Sequence, residues 1–169
     1  MLKKVMIKIR TEKVPLSLSL FDDVRAPLGE GQGAADAPEI SEMTVEGKLK
    51  ESLGRVELKY TESELSGMDG STAAITFSLE EPSLVTLMRS GLVNTALVFE
   101  EGKRNICAYN TPFMPFEVCV HAFKIKNKLL TDGTLHIDYA VEIRGADAER
   151  CSLTVSVKEI SKTINLPRE

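Results

Sequence analysis

The sequence contains no tryptophan, and its aromatic residues are limited to six phenylalanines and three tyrosines among 169 residues. Histidine is equally scarce, since the chain has only His121 and His136. The three cysteines, Cys107, Cys119 and Cys151, include no CxxC pair, and no Cys/His cluster repeats a metal-ligand spacing. These shortages exclude the common zinc modules and disulfide scaffolds. We therefore expect no metal ion, no cofactor, and reduced, mostly buried thiols.

The sequence also lacks a dominant charge and a long hydrophobic run. Its formal net charge is −4 and its pI is about 5.4, so no general attraction to nucleic acid or to an anionic membrane is expected. The first residues, MLKKVMIKIR, interrupt their apolar positions at every second residue, which indicates neither a signal peptide nor a membrane span. We therefore expect a cytoplasmic protein that binds neither nucleic acid nor membrane.

Helical periodicity is absent as well, and a strict alternation of apolar and polar residues takes its place. A period of two gives a β-strand one dry face and one wet face. The alternation recurs from one end of the chain to the other, and its clearest apolar positions are Val5, Ile7, Ile9, Val56, Leu58, Tyr60, Leu135, Ile137, Tyr139, Val141 and Ile143. The sequence therefore predicts an all-β protein.

Short turn signals separate these strands and indicate how they are connected. About ten strands follow one another with hairpin-length links, which favours antiparallel neighbours in chain order. So long a meander leaves costly edges unless it closes, so we predict one domain, residues 1–169, folded as an up-and-down barrel of about 8–10 strands. A two-sheet sandwich is the second alternative.

One segment departs from the alternation. Residues 21–42 read FDDVRAPLGEGQGAADAPEISE and are rich in glycine, alanine, proline and acid. Such a composition buries too little apolar surface to offset the entropy of ordering, so we predict a long, flexible acidic loop here, with the next strand beginning at Met43. Its glycines do not follow a Rossmann strand or precede a lysine, so a phosphate-binding loop is not indicated.

Two charged residues fall on the apolar face of their strands. Glu62 continues the face of Val56, Leu58 and Tyr60, and Arg89 continues that of Val85 and Leu87. One interpretation is a polar pair at the mouth of a cavity, with Tyr60 and Tyr109 near the opening. The other is that both side chains lie at strand ends, where they reach water or bond to loops.

Three functions are compatible with these residues. A non-enzymatic binding module would hold a small apolar or amphipathic ligand at Tyr60, Glu62, Arg89 and Tyr109. An interaction protein would contact a protein partner through its outer face or the acidic loop. An enzyme would use Glu62 and Glu64, ~7 Å apart by strand rise. Cys119 and His121 share a face at that same spacing, too far for a nucleophile–base hydrogen bond.

Three stretches of the chain carry a family resemblance: Val45–Leu49, Tyr60–Phe77 and Leu92–Phe113, with Glu62, Glu64, Gly67, Phe99, Gly102, Thr111 and Pro112 as the clearest marks. Together they resemble the YwiB-like family of small bacterial proteins of unknown function. The resemblance implies a calycin-like barrel in a bacterial cytoplasm, and it supplies no activity, ligand or site residue. The chain departs from the family in its longer segment 21–42 and in Met114, where family members commonly have glycine.

Overall fold

A computed structural model of the chain describes residues 1–16, 37–62, 70–143 and 148–160. These residues contain strands and turns and no helix, so no described helix could cross a membrane. The described strands, in chain order, are β1 (Leu2–Leu16), β2 (Glu39–Ser52), β3 (Arg55–Thr61), β4 (Thr72–Ser78), β5 (Leu84–Ser90), β6 (Asn94–Glu100), β7 (Arg104–Asn110), β8 (Pro115–Lys128), β9 (Thr134–Ile143) and β10 (Ala148–Glu159).

Every strand pairs antiparallel with its neighbours in sequence, and β1 pairs with β10 to close a ten-stranded barrel. The closing ladder runs from Val5 opposite Glu159 to Leu16 opposite Ala148. The predicted up-and-down barrel is confirmed, and the sandwich alternative is wrong. The physical reason is that closure pairs the two outermost strands with each other and leaves no free edge among the described strands.

The predicted apolar face is the interior of the barrel. Val5, Ile7 and Ile9 are buried on β1, while the alternating Lys4, Met6 and Lys8 are exposed or nearly so. Deeper in the core, the Phe99 and Tyr139 rings pack with centroids 4.7 Å apart at a tilt of 59°. Aromatic pairs prefer such tilted arrangements. The alternation in the sequence therefore translates directly into the inside and the outside of the barrel.

The predicted boundary of the acidic loop at residue 42 was wrong. β2 begins at Glu39, and its first residues pair with the far end of β1, from Lys13 opposite Glu39 to Arg10 opposite Glu42. Arg10 Nε also lies 3.2 Å from a Glu42 carboxylate oxygen. A strand can form on backbone hydrogen bonds to a long neighbour without burying its side chains, which composition does not reveal. The rest of the predicted loop, residues 21–36, lies outside the described residues.

Smaller differences occur at turns. Leu79 continues the apolar alternation of Ala73, Ile75 and Phe77 in the sequence, but β4 ends at Ser78 and Leu79 is 43% exposed in the turn that follows. Pro115 is the first residue of β8, a position where a proline costs no interior hydrogen bond. Before it, the Thr111 hydroxyl accepts a hydrogen bond from the Met114 amide at 3.2 Å, which closes the turn.

The two ends of the barrel differ. We call the end with the β2–β3, β4–β5, β6–β7 and β8–β9 connections the turn end, and the opposite one the loop end. At the turn end Leu129 is buried, and Asn127 Nδ2 donates to the Pro82 carbonyl at 3.0 Å. The Ile125 amide donates to a Glu101 carboxylate oxygen at 3.4 Å. These contacts join the connections of the turn end, where the described residues leave a small pocket of about 120 Å³ beside Pro82 and Asn127.

At Gly47 on β2 the neighbouring strands leave no room for a Cβ atom. A Cβ at this position would lie 2.7 Å from the Lys59 carbonyl oxygen and would overlap the Ile7 Cδ1 atom. Gly47→Ala should therefore lower the free energy of unfolding by about 1–3 kcal/mol, as overpacking does. Urea unfolding followed by circular dichroism measures the change.

The matched control is Glu46→Ala, because Glu46 is the adjacent residue on the exposed face of the same strand. It should change stability by less than about 0.5 kcal/mol. Equal stability of the Gly47→Ala and Glu46→Ala variants would contradict the tight contact between β1, β2 and β3.

Candidate functional site

The interior near the loop end contains space that side chains do not fill. One space, which we call cavity A, has a volume of about 200 Å³. The other, cavity B, has a volume of about 340 Å³. Lys13, Arg89 and Tyr139 line both, so the two cavities are neighbours within the described part of the barrel.

Cavity A contains three of the four predicted site residues. Tyr60 lies near the end of β3, Glu62 directly follows that strand, and Arg89 lies on β5. The remaining described lining of cavity A comes from the same barrel end: Ile9, Thr11, Lys13, Glu39, Ser41, Met43, Leu87, Tyr139 and Leu153. The prediction that Tyr60, Glu62 and Arg89 lie together is therefore met by the geometry.

Tyr109 lies in cavity B instead, on β7, opposite Thr95 and Phe116 in the ladders. It is half-buried and does not line cavity A. The other described residues of cavity B are mostly apolar: Lys13, Arg89, Leu97, Val118, Tyr139, Val141, Ile143, Glu149 and Cys151. Of the four predicted residues, Arg89 alone belongs to both cavities.

Glu62 faces inward because the backbone keeps the strand register beyond the last residue of β3. Its amide donates to the Ser71 carbonyl at 2.7 Å, and its carbonyl accepts from the Gly70 amide at 3.4 Å. The side chain is only 1% exposed. The alternative that Glu62 reaches water from its strand end is therefore wrong.

Arg89 supplies the partner that a buried carboxylate needs. Its Nε donates to Glu62 Oε1 at 3.0 Å, while its side chain remains 23% exposed. On β5 it is opposite Ala73 in one ladder and Thr95 in the other, and the small, fully buried Ala73 leaves room for the guanidinium. An unpaired charge in this position would cost several kcal/mol, so the ion pair is a condition for placing Glu62 inside the barrel.

The pair determines the charge state of the site. Burial acts to lower the pKa of Arg89, but the charge of Glu62 and the hydrogen bond to it outweigh that effect and raise the pKa. Burial raises the pKa of Tyr60, and the neighbouring Glu62 carboxylate adds to the increase. Burial and Cys151 likewise raise the pKa of Tyr139. Near neutral pH the site therefore contains a charged arginine and protonated phenols.

Several lining residues were not identified from the sequence. Lys13 lies two and four residues after Thr11 and Ile9 on β1, so the two-residue alternation places it on the same inner face. Tyr139 is one of the alternating apolar positions of β9, but only the closed barrel places it beside Arg89. Glu39 was assigned to the loop.

The other candidate residues lie elsewhere. Cys119 and His121 both face outward on β8, opposite Glu142 and Ala140 of β9. His136 also faces outward, and its Nδ1 lies 3.1 Å from the Thr154 hydroxyl. Glu64 lies outside the described residues, so its predicted pairing with Glu62 stays a prediction. All three cysteines are buried, as expected. No metal-binding group of His, Cys, Asp and Glu occurs among the described residues.

Comparisons with known proteins give a family and a fold. A family model described as "Domain of unknown function (DUF1934)" matches residues 30–155. The crystal structure of ywiB protein from Bacillus subtilis superposes with a TM-score of 0.61 at 19% identity, covering 92% of this chain and 93% of that one. No curated protein matches the chain. The predicted YwiB-like resemblance is thus confirmed at the level of family and barrel fold.

A first prediction from this site concerns the coupling between Arg89 and Glu62. Arg89→Met should cost about 3 kcal/mol of unfolding free energy, because it leaves the Glu62 carboxylate buried without its cation. In the double variant Glu62→Leu/Arg89→Met the loss should be much smaller, since a buried ion pair and a hydrophobic pair of similar volume are often close in stability. A double-mutant cycle from urea unfolding measures the coupling.

The exposed pair Lys103–Glu100, with nitrogen and oxygen 2.6 Å apart, is the control. Its cycle should give a coupling below about 1 kcal/mol, as surface pairs do. Additive effects of the two interior substitutions would show that Glu62 and Arg89 do not depend on each other.

A second prediction concerns alkaline pH. Because burial raises the pKa of Tyr60 and Tyr139, the folded state holds both protons more tightly than the unfolded chain does. Their contribution to stability is therefore complete below pH ~10 and is lost as the pH rises further. The urea concentration at the midpoint of unfolding should decrease as the pH rises from ~9 to ~11. At the higher pH, unfolding should increase the tyrosinate absorbance.

In the variant Tyr60→Phe/Tyr139→Phe the absorbance increase that these two phenols contribute on unfolding should be lost. If the folded wild-type protein already showed full tyrosinate absorbance near pH ~11, the burial of these two phenols would be contradicted.

Proposed function

This chain belongs to the DUF1934 family, and from that premise we propose that its barrel is a non-enzymatic binding module for a small amphipathic molecule. The molecule would occupy cavities A and B at the loop end. Tyr60, Glu62, Arg89 and Tyr109 would supply the polar contacts. The lining residues come from strands at both ends of the sequence, so the proposed site requires the complete barrel.

The observation that supports it most strongly is the unfilled interior at the loop end. Barrels of about eight strands are just wide enough for side chains to fill, and ten strands give a wider interior. In this barrel the described residues of the turn end line a pocket of only about 120 Å³, while cavities of about 200 and 340 Å³ lie at the other end. The volume of cavity B lies within the range of natural small-molecule sites, roughly 300–1,000 Å³, and cavity A adjoins it as a smaller space.

The composition of the lining favours an amphipathic ligand over a purely polar one. Cavity B combines the aliphatic residues Leu97, Val118, Val141 and Ile143 with the charged residues Lys13, Arg89 and Glu149. Sites for small molecules generally combine an apolar wall with a small number of placed polar groups that orient the ligand. Arg89 is the polar group that faces both cavities.

The thiol in cavity B supports binding rather than covalent catalysis. Burial raises the pKa of Cys151 to about 11, although a hydrogen bond from Tyr139 partly opposes the shift. Only a small fraction of such a thiol is ionised near neutral pH, and the thiolate is the nucleophilic form. The carboxylate alternative needs Glu64 as well as Glu62, and Glu64 lies outside the described residues.

A protein-interaction role is the second candidate. Its predicted contact, the acidic loop, lies for the most part outside the described residues. One feature favours it: Leu92 and Phe113 are 75% and 95% exposed on neighbouring turns of the loop end. Exposed apolar residues grouped in this way are typical of contact surfaces. We infer further that the protein is a calycin-like barrel of a bacterial cytoplasm, a location that its buried thiols favour.

Titration with a hydrophobic fluorescent probe tests the binding function. Leu153→Phe should reduce the volume of cavity A, and Val141→Phe that of cavity B. We expect at least one of them to weaken probe binding about tenfold, because the added ring occupies the space that the probe needs. Circular dichroism confirms that each variant is folded.

Met88→Phe is the matched control, because Met88 lies on β5 and is 48% exposed on the outer face. It adds a ring of the same size outside the barrel and should leave probe affinity unchanged. Absence of probe binding to the wild-type protein, or equal binding by all variants, would contradict an interior site.

A further inference from the structure

Arg89 donates a hydrogen bond to Glu62 from the Nε edge of its guanidinium group. An arginine has five N–H donors, one on Nε and four on the two Nη nitrogens. Within the described part of the chain, the hydrogen bond that the structure shows from Arg89 is Nε to Glu62 Oε1, at 3.0 Å. Glu62 is on the cavity A side, since it lines cavity A and not cavity B.

The Arg89 side chain is accessible from the interior space. It is 23% exposed and borders both cavities. Its hydrogen bond to Glu62 fixes the guanidinium from the cavity A side, so the group is also within reach of a ligand in cavity B.

The charges around cavity B favour an anion. Its described lining contains two cations, Lys13 and Arg89, and one carboxylate, Glu149. Cavity A has the same cations but two carboxylates, Glu39 and Glu62. Because both cations are shared, the two cavities differ in their carboxylates, of which the described lining of cavity B has one and that of cavity A has two. An anionic group is better accommodated on the cavity B side of Arg89.

We propose, on the basis of the binding function above, that the ligand is an amphipathic carboxylate. Its carboxylate binds the Nη edge of Arg89 with Lys13 nearby, and its apolar tail lies in cavity B against Leu97, Val118 and Val141. Glu62 positions Arg89 from the cavity A side, and the carboxylate of the ligand lies on the opposite, Nη side of the guanidinium. The planar guanidinium fork binds the two oxygens of a carboxylate through parallel hydrogen bonds. A phosphate could bind the same fork, but its larger negative charge would be repelled more strongly by Glu149 in the same cavity.

Four probes with the same tail and different head groups test this proposal: decanoate, decanol, decyl phosphate and decyltrimethylammonium, titrated at neutral pH by displacement of the fluorescent probe. Decanoate should bind at least tenfold more tightly than decanol, because it adds charge-assisted hydrogen bonds to Arg89. It should also bind more tightly than decyl phosphate. The cationic probe should bind most weakly.

Variants assign the preference to named residues. Arg89→Met should reduce decanoate affinity to that of decanol and leave decanol itself nearly unchanged. Because Arg89→Met also lowers stability, Lys13→Met serves as a second variant at an exposed position, and it should reduce the preference several-fold. Lys8→Met, on the outer face of the same strand, is the control and should bind all four probes as the wild type does.

Two substitutions of Glu62 test its role in positioning Arg89. Glu62→Gln keeps an oxygen for Arg89 Nε and should retain the preference for decanoate. Glu62→Leu removes that acceptor and should lose the preference, while decanol still binds. Loss of decanol binding together with decanoate binding in Glu62→Leu would indicate a merely structural role and would contradict the assignment.

The possible failures can be told apart. If decanol and decanoate bind equally to the wild-type protein, the carboxylate assignment is overturned while the binding function stands. Equal or tighter binding of decyl phosphate or of the cationic probe overturns the assignment as well. If neither the fluorescent probe nor any decyl compound binds, the proposed binding function itself fails.

Discussion

The antiparallel ladder between β1 and β10 is the constraint on which the interior depends. It joins the first described strand to the last, and without it the sheet would have two unpaired edges. Closure also brings Lys13 of β1 next to Cys151 of β10. Both residues line cavity B, so this cavity exists only in the closed barrel. The pairing that stabilises the fold therefore also builds the candidate site.

Inside the closed barrel, the Glu62–Arg89 pair is the main electrostatic feature. A carboxylate that is 1% exposed loses most of its hydration, and only a close cation with a good hydrogen bond compensates for that loss. The pair also leaves the loop end of the interior polar on one side and apolar on the other. This asymmetry, together with unfilled volume, is what favours a ligand with a charged head and an apolar tail.

The accuracy of the sequence predictions varied with the kind of interaction involved. Side-chain alternation correctly located the strands and placed Tyr60, Glu62 and Arg89 on the inner face, because burial depends on side-chain polarity. It failed at Glu39–Glu42, where backbone pairing to a long β1 forms the strand and side chains remain largely exposed. It failed at Leu79, where the strand ends before the apolar run does. Tyr109 was predicted near the opening, and it lines the neighbouring cavity instead of cavity A.

By itself the sequence determined which side chains face inward, because the strand repeat of two residues is a local property of the backbone. It thereby identified Glu62 and Arg89 as charges on an apolar face. Only the tertiary structure decided that these two meet, and that Lys13 and Tyr139 join them. Those residues are separated by many positions in the chain, and their neighbourhood follows from the register of successive ladders and from closure. Register accumulates around the barrel through hydrogen-bonded pairs, and no local pattern in the sequence specifies that sum.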